Sequence, residues 1–572
     1  MRKHAFCTLS VLLAWSGVAS ASSWLSAPPS RRPFKADNAL QLTDGSIMAH
    51  EYGTSNWWKL VPDNHADYVT GHWKQLASST TPDLPRDYSP FAFESAVLPD
   101  GRVIVAGGEY TFPHGTITKT LTNQVAIYDP VADAWTPVPA PCHFVGNTCQ
   151  TKTRWTKIGD APSIVLANGT FMLGQRSSTK LALLDADSLT WSIVAPKGKF
   201  DENDEEGWTL LPPLGRNPRE GNVLAIDTYL GVDQPYRRNS SEIYDPGTNT
   251  WKSARNTVKP LSYLVDICGT AGGHEVGPAV LRPDGTVFAT GSSVCGSAHT
   301  AIYDSATGNW KGGPDIPDGN AMGDAPAALL QNGNVLVLAS PGINKGPATF
   351  YEFDFKTAQF SEPVTPPPGY SGGSDEAGRM LVVSSGHVMF LHAGAPFNEM
   401  FCGHPGRRCD QIWFYTHVGT YDPLWQPLVE PIVGEICVGC IFTGHTYTIR
   451  GTQLNGLSQG AYYGDENPSA SNYPLVQIEN CQSGHKFFAR THGFSTMGVA
   501  TGLFTIVSAK FDVLPGTETG ASSLRVIANG IPSDPAGGRC AVTVWPARKG
   551  ARGGRQPGGD LHSRKELLAP PQ

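Results

Sequence analysis

The chain has 572 residues, with 43 Lys and Arg against 50 Asp and Glu, which gives a formal net charge of −7 at pH 7. This mild acidity is spread along the chain and argues against non-specific nucleic-acid binding, which needs clustered positive charge. Charged residues make up only 16% of the sequence, whereas Gly (63) and Pro (46) are abundant. That composition is typical of many short strands joined by tight turns. No long amphipathic helical pattern is present, so we predict an all-β protein.

The first 21 residues have the pattern of a secretory signal peptide. Arg2 and Lys3 precede an apolar run, and the small residues 19–21 (Ala-Ser-Ala) form a cleavage site. No later apolar stretch is long enough to span a bilayer as a helix. The sequence therefore predicts a protein without a membrane span that is secreted or otherwise extracytoplasmic, in the periplasm, outside the cell or at the cell surface.

A short unit recurs along residues 22–429. An Asp-Gly or similar turn leads into a β-run, and several units then continue with Tyr-Asp and Trp, as in Tyr128-Asp129 with Trp135 and in Tyr303-Asp304 with Trp310. Seven such turns occur, at residues 44–45, 100–101, 168–169, 221–222, 284–285, 332–333 and 385–387. Repeats of about 50 residues with four strands each predict a seven-bladed kelch-type β-propeller. The Trp side chains are expected to pack between blades.

The pattern changes after residue 429. Alternating strands over 446–450, 474–478, 486–490 and 523–528 predict a second domain, an immunoglobulin-like β-sandwich spanning 430–535. Residues 536–572 are rich in Gly, Arg and Pro, and we predict a disordered tail there.

Eleven cysteines are present, and Cys7 lies within the predicted signal peptide. An oxidising compartment favours pairing of the other ten. Proximity predicts three disulfides, namely Cys142–Cys149, Cys268–Cys295 and Cys402–Cys409, each expected to stabilise a loop by roughly 2–4 kcal/mol. The partners of Cys437, Cys440, Cys481 and Cys540 stay open. For the Cys437-x-x-Cys440 motif we favour a structural disulfide over a zinc or redox site.

The order of these parts resembles a known family. Residues 451–460, 472–475 and 495–498 look like the early-set domain that closes proteins of the galactose oxidase and glyoxal oxidase family of copper radical oxidases. The resemblance covers nearly the whole chain after the signal peptide. It implies a seven-bladed propeller, an early-set C-terminal domain and a copper site with a Cys bonded to a Tyr, two His ligands and an axial Tyr.

The residues that this copper site requires are not matched. Gly277 stands where the family has its Cys, Asp324 where the cross-linking Tyr belongs, and Glu376-Ala377 where a Tyr-His pair is needed. Only His492 resembles a family ligand, the His that the terminal domain sends toward the propeller axis. We therefore expect no copper-radical chemistry and no oxidation of alcohols or aldehydes, and whether the protein is an enzyme stays open.

Acidic residues stand instead before the inner strands of most blades. They are Asp37, Asp160, Glu206, Glu275, Asp324 and Glu376, which should converge at one mouth of the channel while His492 approaches from the terminal domain. Such crowding predicts a raised carboxyl pKa or a bound divalent cation such as calcium. The alternative is that each acid caps neighbouring backbone amides. Another acidic run, at 201–206, is interpreted as a solvated loop rather than a calcium site.

Three functions are compatible with these patterns. The leading hypothesis is a secreted monomer whose acidic mouth binds a glycan or another polar extracellular ligand. The second is an enzyme, either a copper radical oxidase despite the substitutions or a hydrolase that uses Asp324 and Glu376 with His492. The third is a protein-interaction scaffold that uses the Cys402–Cys409 loop.

Overall fold

The computed structural model describes residues 22–77, 88–112, 118, 121–146, 148–228, 240–263, 268–269, 272–370, 372–392, 411–465 and 468–547. Regular structure in these residues is almost entirely β-strand, which confirms the all-β prediction. The exceptions are four single 3-10 turns, at Thr151–Thr153, Pro317–Gly319, Asp375–Ala377 and Pro423–Trp425. The predicted signal peptide and the predicted Cys402–Cys409 disulfide lie outside the described residues. The described part of the chain contains no helix of the length and apolarity that a membrane crossing requires.

Seven four-stranded antiparallel sheets are arranged as the blades of a propeller, and the first strands of neighbouring blades contact one another. The first four blades each use consecutive strands. Blade 1 has Ala36–Gln41, Ile47–Glu51, Trp57–Val61 and His72–Gln75; blade 2 has Glu94–Val97, Val103–Ala106, Val125–Asp129 and Ala134–Val138; blade 3 has Ser163–Val165, Phe171–Gly174, Leu181–Asp185 and Thr190–Val194; and blade 4 has Trp208–Leu210, Val223–Ile226, Ser240–Asp245 and Thr250–Asn256.

The last three blades differ in how they are completed. Blade 5 again uses consecutive strands, whereas blade 6 gains a strand from the C-terminal part and blade 7 gains one from the N-terminus. Blade 5 has Val276–Leu281, Thr286–Gly291, Thr300–Asp304 and Asn309–Gly312; blade 6 has Ala327–Leu329, Val335–Ala339, Thr349–Phe353 and Ala461–Tyr462; and blade 7 has Gly378–Val382, Val388–His392, Ile412–Thr416 and Ser23–Ser26. The prediction of seven blades is confirmed.

Tryptophans in the outer strands of blades 2 and 3 hydrogen-bond to the blade before each of them. The indole N–H of Trp135 in blade 2 donates to the carbonyl oxygen of Ala77, which follows blade 1, at 2.9 Å. Trp191 in blade 3 donates in the same way to Pro139 at 2.8 Å. These indoles are buried, so each hydrogen bond is made within an apolar contact between blades. The aromatic residues of the repeat therefore serve packing, as the sequence predicted.

The C-terminal part forms one continuous sheet of nine strands that curls on itself. Along the sheet the order is Leu428–Val429, Thr446–Thr452, Val507–Asp512, Lys486–His492, Leu475–Asn480, Gly520–Ala528, Val542–Trp545 and Cys440–Phe442, with Ile531–Pro532 paired beside Gly520–Ala528. Cys440–Phe442 and Thr446–Thr452 are six strand spacings apart, roughly 29 Å in a flat sheet. The three residues between them can span only about 14 Å, so the sheet must curl. Its classification as an immunoglobulin-like early-set sandwich stays a prediction.

Two small hairpins complete the described strands. Pro90–Phe91 pairs with Tyr110–Thr111, and Phe144–Val145 pairs with Thr148–Cys149. The predicted tail begins too early in the sequence, because residues 536–547 belong to the curled sheet. Val542–Trp545 pairs there with both Gly520–Ala528 and Cys440–Phe442. The Gly-rich composition of 536–539 hid a strand that is only four residues long.

Four disulfides are present in the described residues. Cys142–Cys149 and Cys268–Cys295 confirm two predicted pairs. The pairs that the sequence left open are Cys437–Cys440 and Cys481–Cys540. The motif Cys437-x-x-Cys440 is therefore a disulfide, as favoured above. Several disulfides in one chain are the mark of an oxidising, extracytoplasmic compartment.

The loop lengths of two disulfides predict unequal contributions to stability. Cys481–Cys540 spans 59 residues and Cys437–Cys440 spans 3. The loss of chain entropy in the unfolded state then stabilises the fold by about 4 kcal/mol for the first and about 2 kcal/mol for the second. Equilibrium unfolding in denaturant of the double variants Cys481→Ser/Cys540→Ser and Cys437→Ser/Cys440→Ser should show the larger loss for the long loop. Equal losses would contradict this entropic origin.

Candidate functional site: an acidic channel mouth

Three acidic residues at the starts of inner strands share an unusual backbone conformation. Asp160, Glu205 and Asp324 have φ of 55°, 57° and 50°, in the left-handed region. Each lies three residues before the first strand of its blade, which begins at Ser163, Trp208 or Ala327. A non-glycine residue in this region costs roughly 1 kcal/mol. The same backbone conformation therefore places a carboxylate just before the first strand in each of blades 3, 4 and 6.

A fourth acid reaches this level on a segment that crosses the channel. Residues 453–465 and 468–473 leave the curled sheet and contact the inner strands of several blades. The Leu210 N–H donates to Gln459 Oε1 at 2.8 Å in blade 4, and the Leu329 N–H donates to the Gly460 carbonyl oxygen at 2.8 Å in blade 6. The Tyr463 hydroxyl donates to the carbonyl oxygen of Glu376, next to blade 7, at 2.9 Å. This segment carries Asp465 to the acidic end of the channel.

Gly464 shows how closely this segment fits between the blades. A Cβ atom on Gly464 would lie 2.2 Å from Asp324 Oδ1, and a Cβ atom on Gly207 would lie 2.6 Å from the Gly464 carbonyl oxygen. The chain is thus held between blade 4 and blade 6, one residue before Asp465. Only a glycine leaves room for this approach.

The carboxylates meet in two groups of three. The oxygens of Asp160, Glu205 and Asp465 lie within 4.8 Å of one another, and so do those of Glu205, Glu275 and Asp324. Glu205 belongs to both groups, so the five residues form one connected cluster, which we call the acidic mouth. Glu205, Glu275 and Asp324 are partly exposed, while Asp160 and Asp465 are buried.

The acidic mouth strongly favours protonated carboxyls. Burial, followed by the charges of Asp465 and Asp324, raises the pKa of Glu205 well above its ordinary value. Burial, followed by neighbouring carboxylates, raises the pKa values of Glu275 and Asp324 in the same direction. Nearby, burial and the charge of Asp160 raise the pKa of Glu109 to about 7. Five carboxylates therefore cannot all be ionised here without a compensating positive charge.

Positive charge at the mouth is sparse. Among the residues that the structure describes, Arg176 is the cation that contacts the mouth, with Nη2 at 2.5 Å from Asp160 Oδ2, and the same guanidinium also binds Asp204 at 3.1 Å. Arg379 lies nearby, but its guanidinium sits over the ring of Tyr463 at 3.8 Å and donates to backbone carbonyl oxygens. Glu275 Oε2 is buried and has no hydrogen-bond partner among the described residues. Within the described part of the chain, the mouth therefore has more negative charge than its cations balance, and it has a carboxylate oxygen that accepts no hydrogen bond.

The structure brings together three of the residues singled out from the sequence and separates others. Asp160, Glu275 and Asp324 lie in the acidic mouth. Glu376 is close enough for its charge to raise the pKa values of Glu275 and Asp324, but it is outside the two groups. Glu206 instead points into a different cluster, where Lys199 binds it at 2.9 Å. Blade 4 contributes Glu205 in its place.

His492 lies at the opposite end of the propeller from the acids. The neighbouring Thr491 N–H donates to the Thr43 carbonyl oxygen, and the Gly493 N–H donates to that of Pro99. Both acceptors precede the turns where the first strands of blades 1 and 2 end, whereas the acids stand where first strands begin. His492 Nε2 is instead 3.1 Å from Asp512 Oδ1 in the curled sheet. The expected approach of His492 to the acids does not occur, and the set Asp324, Glu376 and His492 is not assembled.

Two residues of the mouth, Glu205 and Asp465, were missed by sequence reasoning. Glu205 has the register of Asp160 and Asp324 relative to its strand, so an alignment on strand starts rather than turns would have found it. Asp465 had no local signal, because its place depends on where the channel segment runs. The interpretation of 201–206 as a solvated loop is wrong, because only Glu202 of that run is exposed. Contacts with blades 3 and 4 bury the run. The Asn203 N–H donates to the carbonyl oxygen of Ser178, in a loop of blade 3, and the Asp201 N–H donates to Glu242, in a strand of blade 4.

The donor set does not fit the copper site that the family resemblance implied. Every group of three candidate metal ligands in the described part of the chain consists of carboxylates alone. Gly277, which stands where the family has its Cys, has no room for a side chain, because a Cβ atom would lie 2.3 Å from Thr290 Oγ1 and 2.7 Å from the Met322 carbonyl oxygen. Asp324, which stands where the cross-linking Tyr belongs, belongs to the acidic mouth. We therefore derive no reaction step through copper.

The chain is similar to solved structures at low sequence identity. No family model and no curated protein matches the chain. A solved fungal alcohol oxidase of the AA5 family, in complex with copper, is similar at 13% identity and a TM-score of 0.46, over 90% of this chain and 98% of that one. An extracellular domain from B. thetaiotaomicron is similar at 10% identity and a TM-score of 0.41, over 82% of this chain and 52% of that one.

The raised pKa values predict how stability depends on pH when a chelator is present. The carboxyls of Glu205, Glu275 and Asp324 lose their protons near pH 4 in the unfolded chain but hold them to higher pH in the folded protein. Stability should therefore fall as pH rises above about 4, by up to about 1.4 kcal/mol per pH unit for each carboxyl. Asp324→Asn should flatten this slope in urea unfolding between pH 4 and 7. An unchanged slope would contradict the predicted protonation.

Proposed function

We propose that this extracytoplasmic protein binds a polar ligand of the glycan class through a divalent cation held in the acidic mouth. The observation that carries the proposal is the convergence of Asp160, Glu205, Glu275, Asp324 and Asp465 in two groups that share Glu205. Four of these residues come from four different blades, and the fifth comes from the channel segment. No single local structure, such as a capped turn, accounts for all five meeting.

The charge balance supports a cation over backbone capping. A carboxylate that caps amides accepts N–H donors, and those donors lower its pKa. The opposite holds at the mouth, where burial and like charges raise the pKa values of Glu205, Glu275 and Asp324. The buried Glu275 Oε2 also lacks any donor among the described residues. A divalent cation would supply the missing charge and would occupy this oxygen.

The chemistry of the donors supports calcium. Carboxylate oxygens suit hard cations, and calcium accepts six to eight such ligands at about 2.3–2.6 Å in flexible geometry. Copper in the family that the sequence resembles is bound by sulfur-linked phenol and imidazole groups, and the mouth offers neither. A calcium ion held by partly exposed carboxylates keeps coordination positions for outside ligands. Pairs of hydroxyl groups on a sugar are neutral oxygen donors that can take such positions.

We predict that calcium stabilises the folded protein through this site. An ion that binds only the folded state adds about 2.7 kcal/mol at a concentration of 100 Kd. The thermal midpoint should therefore rise by about a few degrees in calcium relative to a chelator. Asp465→Asn should reduce that rise, because it removes one ligand and one charge from the first group of the mouth without changing the side-chain volume.

Two controls make this prediction specific. Asp187 is an exposed acid in a turn of blade 3, so Asp187→Asn should keep the full calcium response. Asp324→Asn keeps a residue type that tolerates the left-handed backbone at this position, so its effect reports on the ligand and not on the turn. A calcium response that is as large in both Asp465→Asn and Asp324→Asn as in Asp187→Asn would refute the proposed site.

The ligand class is tested separately from the cation. Binding of the wild-type protein to an array of glycans should require calcium and be lost in chelator. Competition should follow the presence of adjacent hydroxyl groups on the sugar, because they supply the oxygen ligands. Binding that persists in chelator, or that is retained by Asp465→Asn, would mean that glycans are held elsewhere.

A further inference from the structure

A second cluster of acids lies behind the mouth, inside blade 4. Oxygens of Asp201, Glu206 and Asp227 lie within 4.8 Å of one another, and all three residues are buried. Glu242 is adjacent and also buried, at 2% exposure. We call these four residues the blade 4 cluster. All four of its members are buried, whereas three residues of the acidic mouth are partly exposed.

The ammonium group of Lys199 is the positive charge beside these four carboxylates in the described part of the chain. Lys199 Nζ lies 2.9 Å from Glu206 Oε2 and 2.9 Å from Glu242 Oε2, and its side chain is fully buried. It also sits 4.6 Å from the ring centre of Trp251. If all the acids are ionised, the cluster carries three uncompensated negative charges. Burial of that much charge without a partner is prohibitively costly.

Within the described residues, most carboxylate oxygens of the cluster already accept hydrogen bonds, but those of Asp227 do not. The Asp201 carboxylate accepts the Thr228 N–H at 2.7 Å and the Glu202 N–H at 2.9 Å. Glu206 Oε1 accepts the indole N–H of Trp208 at 3.0 Å. Asp227 is only 2% exposed, yet neither of its carboxylate oxygens has a hydrogen-bond partner among the described residues. The Ser240 hydroxyl lies close to this carboxylate without reaching hydrogen-bond geometry.

We propose that Asp201, Glu206 and Asp227 bind a calcium ion that is structural and distinct from the cation of the mouth. One oxygen of Asp227 lies within 4.8 Å of an oxygen of each of the other two carboxylates, and neither Asp227 oxygen is engaged in a hydrogen bond among the described residues, so both can bind the ion. Magnesium keeps several waters in its coordination shell, whereas calcium is readily bound by protein oxygens alone. A closed pocket lined by carboxylates therefore suits calcium.

The proposed ion joins two parts of blade 4. Asp201 and Glu206 precede the first strand, and Asp227 follows the second strand, Val223–Ile226. The ion would thus fasten residues 201–206 against the blade. Glu205 belongs to the same run and turns the other way, into the mouth. The structural ion would therefore stabilise the segment that presents the carboxylate shared by both groups of the mouth.

The test counts calcium ions per chain. Wild-type protein, Asp227→Asn, Asp465→Asn and Asp187→Asn are saturated with calcium, freed of unbound ion and measured by elemental mass spectrometry. We expect Asp227→Asn to hold one calcium ion fewer than Asp187→Asn. Equal counts in these two variants would overturn the proposal. The mouth is judged independently, because Asp465→Asn and Asp187→Asn would have equal counts if only the proposed function failed.

A second measurement covers the case in which Asp227→Asn does not fold. Terbium(III) substitutes for calcium and emits when a nearby tryptophan is excited. The indole of Trp208 is hydrogen-bonded to Glu206, a ligand of the proposed site. Terbium should therefore show tryptophan-sensitised emission in Asp465→Asn protein, in which the mouth is impaired, and calcium should displace it. Absence of both sensitised emission and bound calcium in this folded variant would overturn the proposal.

Discussion

Closure of seven blades around one axis is the constraint on which the rest of the structure depends. It forces the starts of the first strands to lie side by side at one end of the channel, whatever side chains they carry. In this chain blades 3 to 6 place Asp160, Glu205, Glu275 and Asp324 there, and the channel segment adds Asp465. The ring thus gathers charges that local sequence keeps about 45–70 residues apart. Their mutual repulsion must be offset by protons or by a cation.

The run 199–206 connects the two acidic clusters. The last two side chains of the run point to different clusters, with Glu205 in the mouth and Glu206 against Lys199. The left-handed backbone at Glu205 produces this division, because it turns one carboxylate away from its neighbour. Interactions that hold the run inside blade 4 therefore also position Glu205 in the mouth. We expect a substitution that displaces the run to weaken cation binding in both clusters.

The sequence repeats were enough to predict the propeller, but they predicted only part of the acidic mouth. Turn and strand patterns identified seven blades, and proximity identified Cys142–Cys149 and Cys268–Cys295, because both depend on short stretches of chain. Asp160, Glu275 and Asp324 were found for the same reason. Asp465 depends on a segment that returns to the channel after blade 7 is complete, and no local pattern carries that information. The blade 4 cluster was hidden because burial of 201–206 depends on neighbouring strands, while its composition is that of a solvated loop.

The N-terminal strand has a consequence for how the molecule is made. Ser23–Ser26 pairs with residues 413–416 as the outermost strand of blade 7, so the ring is closed by contacts between residues almost 400 positions apart. Contacts of such sequence separation form late, because the entropy of loop closure must be overcome before they contribute. During synthesis the first strand must wait until nearly the whole propeller has emerged. We therefore expect an open ring with exposed strand edges to precede the closed propeller during folding, and such edges favour aggregation.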